Sequence, residues 1–349
     1  ASMTTIHVIP NVFEELSLST GVEMELYFGF DKWKEMEQER FESAKKNVVG
    51  IVGDLDREEL VESLGAYPSI ESLIPIQEPY KLVGRGFKDV PTVIEIDQDV
   101  VIGGDEIVIM AGPCAVEGED QIMETAEAVK AGGAKILRGG AFKPRTSPYS
   151  FQGLHEKGLK LMRQAADETG LKVVTEVMAP RHVEMVGKYT DIFQIGARNM
   201  QNFYLLKEVG NSDIPVMLKR GMNATYKEFL MAAEYIMSQG NYDVILCERG
   251  IRTFEDYTRN TLDLVSIPVL KKLSHLPIII DPSHGTGKRE LVEPACKGAV
   301  AMDADGLIIE VHPEPAKAYS DGAQSVESDN FTDLIDQLRR VALAVDRDI

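Results

Sequence analysis

Cysteine is scarce in this chain of 349 residues. Its three cysteines, Cys114, Cys247 and Cys296, lie far apart, and their odd number excludes a framework in which every thiol is paired. Such cysteine usage is typical of a reducing compartment, so we expect a cytoplasmic protein. The sequence also lacks a long uncharged apolar run and a basic N-terminal region followed by an apolar stretch. We therefore expect neither a membrane span nor a secretion signal.

Basic residues are in the minority. The chain has 37 Lys and Arg against 56 Asp and Glu, which gives a net charge of −19 at pH 7. This balance argues against a surface that binds nucleic acid or anionic lipid. The segment from Lys135 to Arg145 nevertheless contains four cations and no acid. An acidic protein that keeps such a local cluster is expected to use it for anions.

Regular alternation begins at about residue 106. Eight short β-branched runs are each followed by a stretch with helical periodicity, and their continuous apolar character is typical of parallel strands covered on both faces. The count and spacing predict a (β/α)8 barrel, while a doubly wound sheet is the alternative. The runs span residues 106–113, 134–140, 171–177, 191–197, 215–221, 243–250, 276–284 and 306–313.

The first part of the chain does not follow this rhythm. We predict a small N-terminal α+β domain over 3–90, and a barrel with a short leading hairpin over 91–349. Strands are predicted within 4–10, 24–30, 48–54 and 69–76, helices at 33–46 and 56–65, and the hairpin at 92–109.

Four potential metal ligands follow or interrupt the apolar runs: Cys114, His284, Glu310 and Asp321. Each has an ordinary alternative, such as a buried apolar cysteine or a hydrogen-bonded loop histidine. However, the ends of the first, seventh and eighth strands are neighbours in a barrel, so these groups should converge. A thiolate and an imidazole favour Mn²⁺, Fe²⁺, Co²⁺ or Zn²⁺ over Mg²⁺ or Ca²⁺.

Cations close other runs of the predicted barrel. One such residue is usually a surface charge, but several of the same sign at neighbouring strand ends form a focused positive field. Arginine forks match phosphate and carboxylate oxygens, so a small, multiply anionic substrate is predicted. Glu176 lies among these cations, and Thr146 and Ser147 follow in the KPRTS segment. The cations are Arg138, Lys143, Arg145, Arg198, Lys219 and Arg249.

Motifs spread in order over residues 80–345 resemble those of 3-deoxy-D-arabino-heptulosonate 7-phosphate (DAHP) synthase, type I beta branch. They read AGPCAVE, KILRGGAFKPRTSPYSFQG, QIGARN, LKRG, CERG, DPSHGTG and EVHPEP. The resemblance implies a metal-dependent, aldol-type transferase that condenses phosphoenolpyruvate with erythrose 4-phosphate, the first step of the shikimate pathway to aromatic amino acids.

The resemblance also implies roles for individual residues. Cys114, His284, Glu310 and Asp321 would bind one divalent metal ion, with Lys143, Cys114 and His284 catalytic. Erythrose 4-phosphate would lie at Pro144, Arg145, Thr146 and Ser147. Phosphoenolpyruvate would contact Arg138, Lys143, Glu176, Ala197, Arg198, Lys219 and Arg249.

Two other functions are weighed against this one. The sister family makes 3-deoxy-D-manno-octulosonate 8-phosphate (KDO 8-phosphate) from arabinose 5-phosphate, but typically lacks the Pro-Arg pair of the KPRTS segment. A non-catalytic metabolite sensor on a barrel would be expected to have lost a metal ligand or KPRTS, and neither is lost.

The resemblance carries three further expectations about assembly and regulation. Relatives are commonly homotetramers. Their N-terminal extension is a ferredoxin-like regulatory domain or a helical chorismate mutase domain, and the strand-like runs favour the first. The resemblance implies tyrosine or phenylalanine as an effector there. The alternative is a domain used only for assembly.

Overall fold

A computed structural model describes residues 2–8, 47–53, 70–76, 79–143, 147 and 149–349, with only the backbone described in the first three ranges. The chain divides into two compact units, Ala1–Asp89 and Val90–Ile349. The predicted N-terminal strand at 24–30 and both predicted helices, at 33–46 and 56–65, lie outside the described residues.

The described strands of the first unit form one antiparallel sheet. They are β1 (Ser2–Val8), β2 (Asn47–Gly53) and β3 (Ile70–Ile76). Strand β1 lies in the centre and pairs with β2 on one side and β3 on the other. The three strands coincide with predicted ones.

The second unit is a closed barrel of eight parallel strands, as predicted. Neighbours in the chain pair in order from β6 to β13, and β13 pairs with both β12 and β6, which closes the ring. Each strand lies within one of the eight predicted runs. The strands are β6 (Val108–Gly112), β7 (Ile136–Arg138), β8 (Lys172–Glu176), β9 (Ile192–Ile195), β10 (Val216–Lys219), β11 (Val244–Glu248), β12 (Ile278–Ile280) and β13 (Gly306–His312).

Helices follow the strands and cover the barrel. For example, α5 begins with a capping box in which Thr225 and Glu228 each accept a backbone N–H of the other. A short additional strand, β14 (Val326–Glu327), pairs with the end of β13. The helices are α1 (Glu119–Ala131), α2 (Glu156–Thr169), α3 (Val183–Gly187), α4 (Phe203–Gly210), α5 (Tyr226–Met237), α6 (Ser266–Leu273), α7 (Pro282–Thr286), α8 (Arg289–Ala301) and α9 (Phe331–Leu343).

A hairpin precedes the barrel and packs on its interior. Strands β4 (Ile94–Asp97) and β5 (Val100–Ile102) pair antiparallel, in agreement with the predicted hairpin. Buried Ile94, Val100 and Ile102 belong to the same apolar cluster as the first residues of several barrel strands. The hairpin therefore closes the amino-terminal end of the barrel and leaves the opposite end for a site.

The strands β6 and β7 approach each other closely near that opposite end. A Cβ on Gly112 would lie 2.1 Å from the carbonyl oxygen of Arg138, and Gly112 has a φ of +153°. Only glycine fits there, and it brings the segment after β6 close to the end of β7. No helix in the described part of the chain is long and apolar enough to cross a membrane.

Candidate active site

A cavity of about 420 Å³ opens at the carboxyl ends of the barrel strands. Most residues of its wall lie at or just after the strand ends, as the barrel architecture predicts, and Arg259, Asn260 and Asp321 join them from longer loops. The acids of the wall are Glu176 and Asp321, so cations predominate by seven to two. The cations are Arg138, Lys143, Arg198, Lys219, Arg249, Arg252 and Arg259.

The four predicted metal ligands meet at this cavity. One donor atom from each of Cys114, His284, Glu310 and Asp321 lies within 4.8 Å of the other three. The Cys114 Sγ is 3.2 Å from Asp321 Oδ2, and His284 Nε2 is 3.4 Å from Glu310 Oε1. The side chains thus converge on one point from four separate segments.

Each donor is placed by a different local structure. Cys114 follows β6, Glu310 lies within β13, and His284 lies on the short helix α7 just after β12. Asp321 precedes a single turn of helix and has a left-handed backbone with a φ of +52°. Left-handed geometry is tolerated by aspartate better than by most residues, and it directs this side chain back toward Cys114.

Asp281 supports this cluster, although the sequence analysis did not single it out. Its Oδ2 lies 2.7 Å from His284 Nδ1, its Oδ1 accepts the His284 backbone N–H, and it pairs with Lys219. Because Asp281 contacts Nδ1, the other ring nitrogen, Nε2, is the atom of His284 that can bind a metal. Although burial opposes ionisation, His284 and Lys219 hold the pKa of Asp281 well below its usual value.

Glu310 is held from two further sides. Arg138 Nη1 lies 3.2 Å from Glu310 Oε1, and the Gln324 amide donates to Glu310 Oε2 at 2.6 Å. Burial raises the pKa of this carboxyl, but His284 and Arg138 outweigh that cost and lower the pKa overall. A fully buried carboxylate is therefore kept ionised by its neighbours.

The thiol of Cys114 and the carboxyl of Asp321 have opposite shifts. Burial, together with the negative charge of Glu310, raises the pKa of the Cys114 thiol to about 12. Burial also opposes the charge of Asp321, yet Arg259 and His284 lower its pKa to about 2. Without a cation the site therefore holds a neutral thiol beside charged carboxylates.

The cations of the cavity differ in their partners. Lys143 Nζ lies 2.9 Å from the Cys114 carbonyl and 3.0 Å from its Sγ. Lys219 pairs with Asp281, and Arg249 is buried beside the carbonyl of His284. Arg198 and Arg252 are exposed to the solvent of the cavity. The wall thus offers both anchored and accessible positive groups to an anion.

Glu176 ends β8 and faces several of these cations. Its carboxylate packs so tightly on Gly196 that a Cβ there would lie 2.0 Å from Glu176 Oε1. Burial raises the pKa of this carboxyl, although the charges of Lys143 and Lys219 oppose that effect. A carboxyl with a raised pKa in a cavity lined by cations can hold or release a proton.

The remaining predicted residues are placed as follows. Ala197 lines the cavity, whereas Ser147 is exposed and does not line it. Pro144, Arg145 and Thr146 lie outside the described residues. Sequence reasoning missed Gln194, Arg252, Arg259 and Asn260, which also line the cavity. The signal for Arg252 and Arg259 was their place in the segment that follows the CERG motif.

Comparison with known proteins gives one consistent family. The model of the DAHP synthetase I family matches residues 91–345. A phospho-2-dehydro-3-deoxyheptonate aldolase from Thermotoga maritima is 51% identical over 301 residues, which cover 86% of this chain and 88% of that protein. A 2-dehydro-3-deoxyphosphooctonate aldolase from Geobacter sulfurreducens is 31% identical over 261 residues, covering 69% of this chain and 95% of that protein.

Solved structures agree with this result. The crystal structure of phospho-2-dehydro-3-deoxyheptonate aldolase (DAHP synthase) from Thermotoga maritima matches this fold with a TM-score of 0.77 and 44% identity. The match covers 100% of this chain and 99% of that chain. A truncated form of the Thermotoga maritima synthase matches 77% of this chain with a TM-score of 0.72.

Proposed function

This chain belongs to the DAHP synthetase I family, and from that premise we propose that it condenses phosphoenolpyruvate with D-erythrose 4-phosphate to DAHP and inorganic phosphate. One observation carries the proposal. A four-donor cluster of Cys114, His284, Glu310 and Asp321 meets seven cations around a single cavity. Both substrates are phosphate esters, and one is also a carboxylate, so the cavity has the charge that they require.

One divalent transition metal fits the four donors. Ligand distances of about 2.0–2.3 Å place the donors of a tetrahedral site roughly 3–4 Å apart, and the four donor atoms here lie within 4.8 Å of one another. A sulfur, a nitrogen and two oxygens suit Mn²⁺, Fe²⁺, Co²⁺ or Zn²⁺. When bound, such an ion supplies Lewis-acid polarisation to the aldehyde oxygen of erythrose 4-phosphate.

The cations hold phosphoenolpyruvate against the repulsion of a second anion. Arg138, Lys219 and Arg249 are buried and fixed, which suits the anchoring of a phosphate and a carboxylate. Lys143 and Arg198 are more accessible, and the Ala197 backbone lies beside them in the wall. Holding two reactants in line removes about 7–11 kcal/mol of a bimolecular barrier.

The bond-forming step joins C3 of phosphoenolpyruvate to the aldehyde carbon. Lys143, near the donor cluster, donates a proton to the alkoxide that develops on the aldehyde oxygen. Water adds to the electron-poor C2 and transfers a proton to Glu176. The resulting phosphohemiketal collapses: the bond from C2 to the phosphate oxygen breaks, and the proton of the C2 hydroxyl passes to the departing phosphate, which leaves the ketone of DAHP.

The erythrose 4-phosphate subsite is proposed at Pro144, Arg145, Thr146 and Ser147 from the family resemblance. By the resemblance, the Pro-Arg pair favours a DAHP synthase over a KDO 8-phosphate synthase. The identities agree, with 51% to the Thermotoga maritima heptonate aldolase against 31% to the Geobacter sulfurreducens octonate aldolase. Erythrose 4-phosphate is therefore the proposed aldehyde substrate. Arabinose 5-phosphate is the alternative, and an assay should show that the protein uses it poorly.

For the first unit we propose a ferredoxin-like fold that binds an aromatic amino acid. In a β-α-β-β-α-β unit the first strand is central and runs antiparallel to both neighbours, as β1 does between β2 and β3. Regulation by tyrosine or phenylalanine, a homotetramer and a cytoplasmic location are proposed with it, supported by the family resemblance.

A steady-state assay tests the proposal. Purified protein should release phosphate from phosphoenolpyruvate with erythrose 4-phosphate and far more slowly with arabinose 5-phosphate. EDTA should abolish turnover, and Mn²⁺ or another transition metal should restore it. Full activity of metal-free protein would remove the Lewis-acid role, and a preference for arabinose 5-phosphate would reverse the assignment of the aldehyde.

A further inference from the structure

A buried ion pair lies directly behind two of the cavity cations. Arg220 and Glu248 are 4% and 0% exposed, and Arg220 Nη1 lies 2.9 Å from Glu248 Oε2. The same Nη1 lies 2.9 Å from an oxygen of Asp263. None of these three side chains lines the cavity, so they have no place in the proposed chemistry.

Their position in the chain connects them to the site. Arg220 follows Lys219 at the end of β10, and Glu248 precedes Arg249 at the end of β11. Because successive side chains of a strand point to opposite faces, Lys219 and Arg249 face the cavity while Arg220 and Glu248 face away. The ion pair thus connects two adjacent strand ends from behind.

Glu248 also fixes the backbone directly after Arg249. Its Oε1 accepts the Gly250 N–H at 2.6 Å, which closes a turn over Arg249. Arg220 holds the loop that follows its own strand, where its Nε donates to the Ala224 carbonyl at 2.9 Å. A shift of either side chain would therefore change the direction of its neighbour in the cavity.

Tyr226 also belongs to this network of Arg220, Glu248 and Asp263. The Tyr226 hydroxyl donates to Asp263 at 2.7 Å, and the Arg220 guanidinium lies 4.5 Å from the centre of the Tyr226 ring. A buried ion pair is weak evidence for stability, because apolar residues of similar volume often stabilise a fold equally well. A network of this kind is better explained by the geometry that it imposes on its neighbours.

We propose that Arg220 and Glu248, supported by Asp263, are positioning residues that direct Lys219 and Arg249 at the phosphate or carboxylate of phosphoenolpyruvate. This inference rests on the proposed function, since it assumes that the cavity binds that substrate. It assigns the third residue of LKRG, Arg220, and the second residue of CERG, Glu248, a shared role.

The test uses the full chain with Mn²⁺ and compares three variants. Glu248→Gln keeps an acceptor for Gly250 but removes the charge, and Arg220→Lys keeps the charge but removes the fork. The control is Asp191→Asn, which breaks an ion pair between a helix and the start of a strand: Arg163 Nη1 on α2 lies 2.7 Å from Asp191 Oδ2, just before β9. That pair is less buried and lies at the opposite end of the barrel.

Calorimetry with phosphoenolpyruvate and with inorganic phosphate gives the first readout. We expect Glu248→Gln to raise the Kd of phosphoenolpyruvate about tenfold, because a small displacement of Lys219 and Arg249 weakens their contacts with the bound anion. Arg220→Lys should have an intermediate effect, and Asp191→Asn should leave the Kd unchanged. The KM for phosphoenolpyruvate should rise in parallel while the KM for erythrose 4-phosphate stays within about twofold.

Two outcomes would decide against the inference. If the two network variants lower Tm but bind phosphoenolpyruvate and phosphate as the wild type does, the network is only structural. If Asp191→Asn raises the Kd of phosphoenolpyruvate as much as the network variants do, the effect is a general loss of rigidity. Failure of the wild-type chain to bind phosphoenolpyruvate would instead count against the proposed function, and phosphate binding would still report on the Lys219 and Arg249 pair.

Discussion

The two ends of the barrel are built from opposite chemistry. At the amino end, Ile94, Val100 and Ile102 of the hairpin pack on the first apolar residues of the strands. At the carboxyl end, buried Arg138, Lys219, Arg249 and their partners surround a cavity. A buried apolar group stabilises by leaving water, whereas a buried charge is costly unless it is paired.

The amino end of the barrel therefore contributes mainly to stability, and the carboxyl end mainly to the proposed function. The apolar end depends on close packing without cavities, while the charged end also requires each buried charge to meet its partner. Asp281 illustrates this requirement because its carboxylate contacts both His284 and Lys219. Substitutions at the two ends should therefore affect different measurements, and the following predictions test that separation.

The largest effect is expected from Cys114→Ala. Loss of one metal ligand should lower kcat/KM by a factor of about 100 or more, which corresponds to a loss of roughly 3 kcal/mol of transition-state stabilisation. Metal content by mass spectrometry should fall with it. Cys296→Ala, which removes a buried thiol from α8 outside the site, is the matched control and should keep both values. Unchanged metal content in Cys114→Ala would contradict the proposed ligand set.

A substitution at the other end should have the opposite profile. Ile102 is fully buried in the hairpin, and Ile102→Ala should lower the free energy of unfolding by about 2–5 kcal/mol because it leaves a cavity. Urea unfolding measures the loss, and metal content and both KM values should stay as in the wild type. A rise in the KM for phosphoenolpyruvate would show that the two ends are not independent.

Asp281→Asn should produce a smaller effect at the charged end. Removal of the carboxylate behind a metal-bound histidine typically weakens metal affinity 10- to 100-fold. Lys219 also loses its partner, so the KM for phosphoenolpyruvate should change as well. The control is Asp305→Asn, since Asp305 holds the backbone N–H of Ile278 at the start of the strand that Asp281 follows. Equal metal affinity in both variants would contradict the role of Asp281.

The sequence predicted more of the barrel than of the contacts within its site. Apolar runs and their spacing suffice for eight strands. Cys114 and His284 were recognisable as polar residues just after strand ends and Glu310 as a carboxylate within an apolar strand, whereas Asp321 lies in the loop beyond β13.

Arg220 and Glu248 are charged residues at the ends of β10 and β11, as are Lys219 and Arg249, so the sequence does not separate the two pairs. Which member of each pair faces the cavity depends on the pleat of the strand, and a shift of one residue would reverse it.

Contacts between distant segments were also beyond sequence reasoning. Gln324 holds Glu310, and Arg259 lies 3.2 Å from Asp321, yet neither residue belongs to an apolar run or a strand end. Their partners are set by how the loops after β11 and β13 fold over the cavity. The KPRTS segment was recognisable only by resemblance, and Pro144, Arg145 and Thr146 lie outside the described residues.

The smallest effect concerns the pH dependence of metal binding. The pKa of the Cys114 thiol is raised to about 12 by burial, so the thiol is neutral at pH 7.5–9.5 and must lose a proton to bind a metal as thiolate. Raising the pH favours the thiolate, so affinity should rise about tenfold, or 1.4 kcal/mol, for each pH unit in this range. Competition with a chelator of known pH dependence measures the slope.

The matched variant for this slope is Cys114→Asp. It keeps four donors but replaces the neutral thiol by a carboxyl that is already ionised in the same pH range. The slope should then fall close to zero, while Asp321, whose pKa is lowered to about 2, contributes none in either protein. Equal slopes in the wild type and Cys114→Asp would show that the proton released on binding comes from another group, and that Cys114 does not bind the metal as a thiolate.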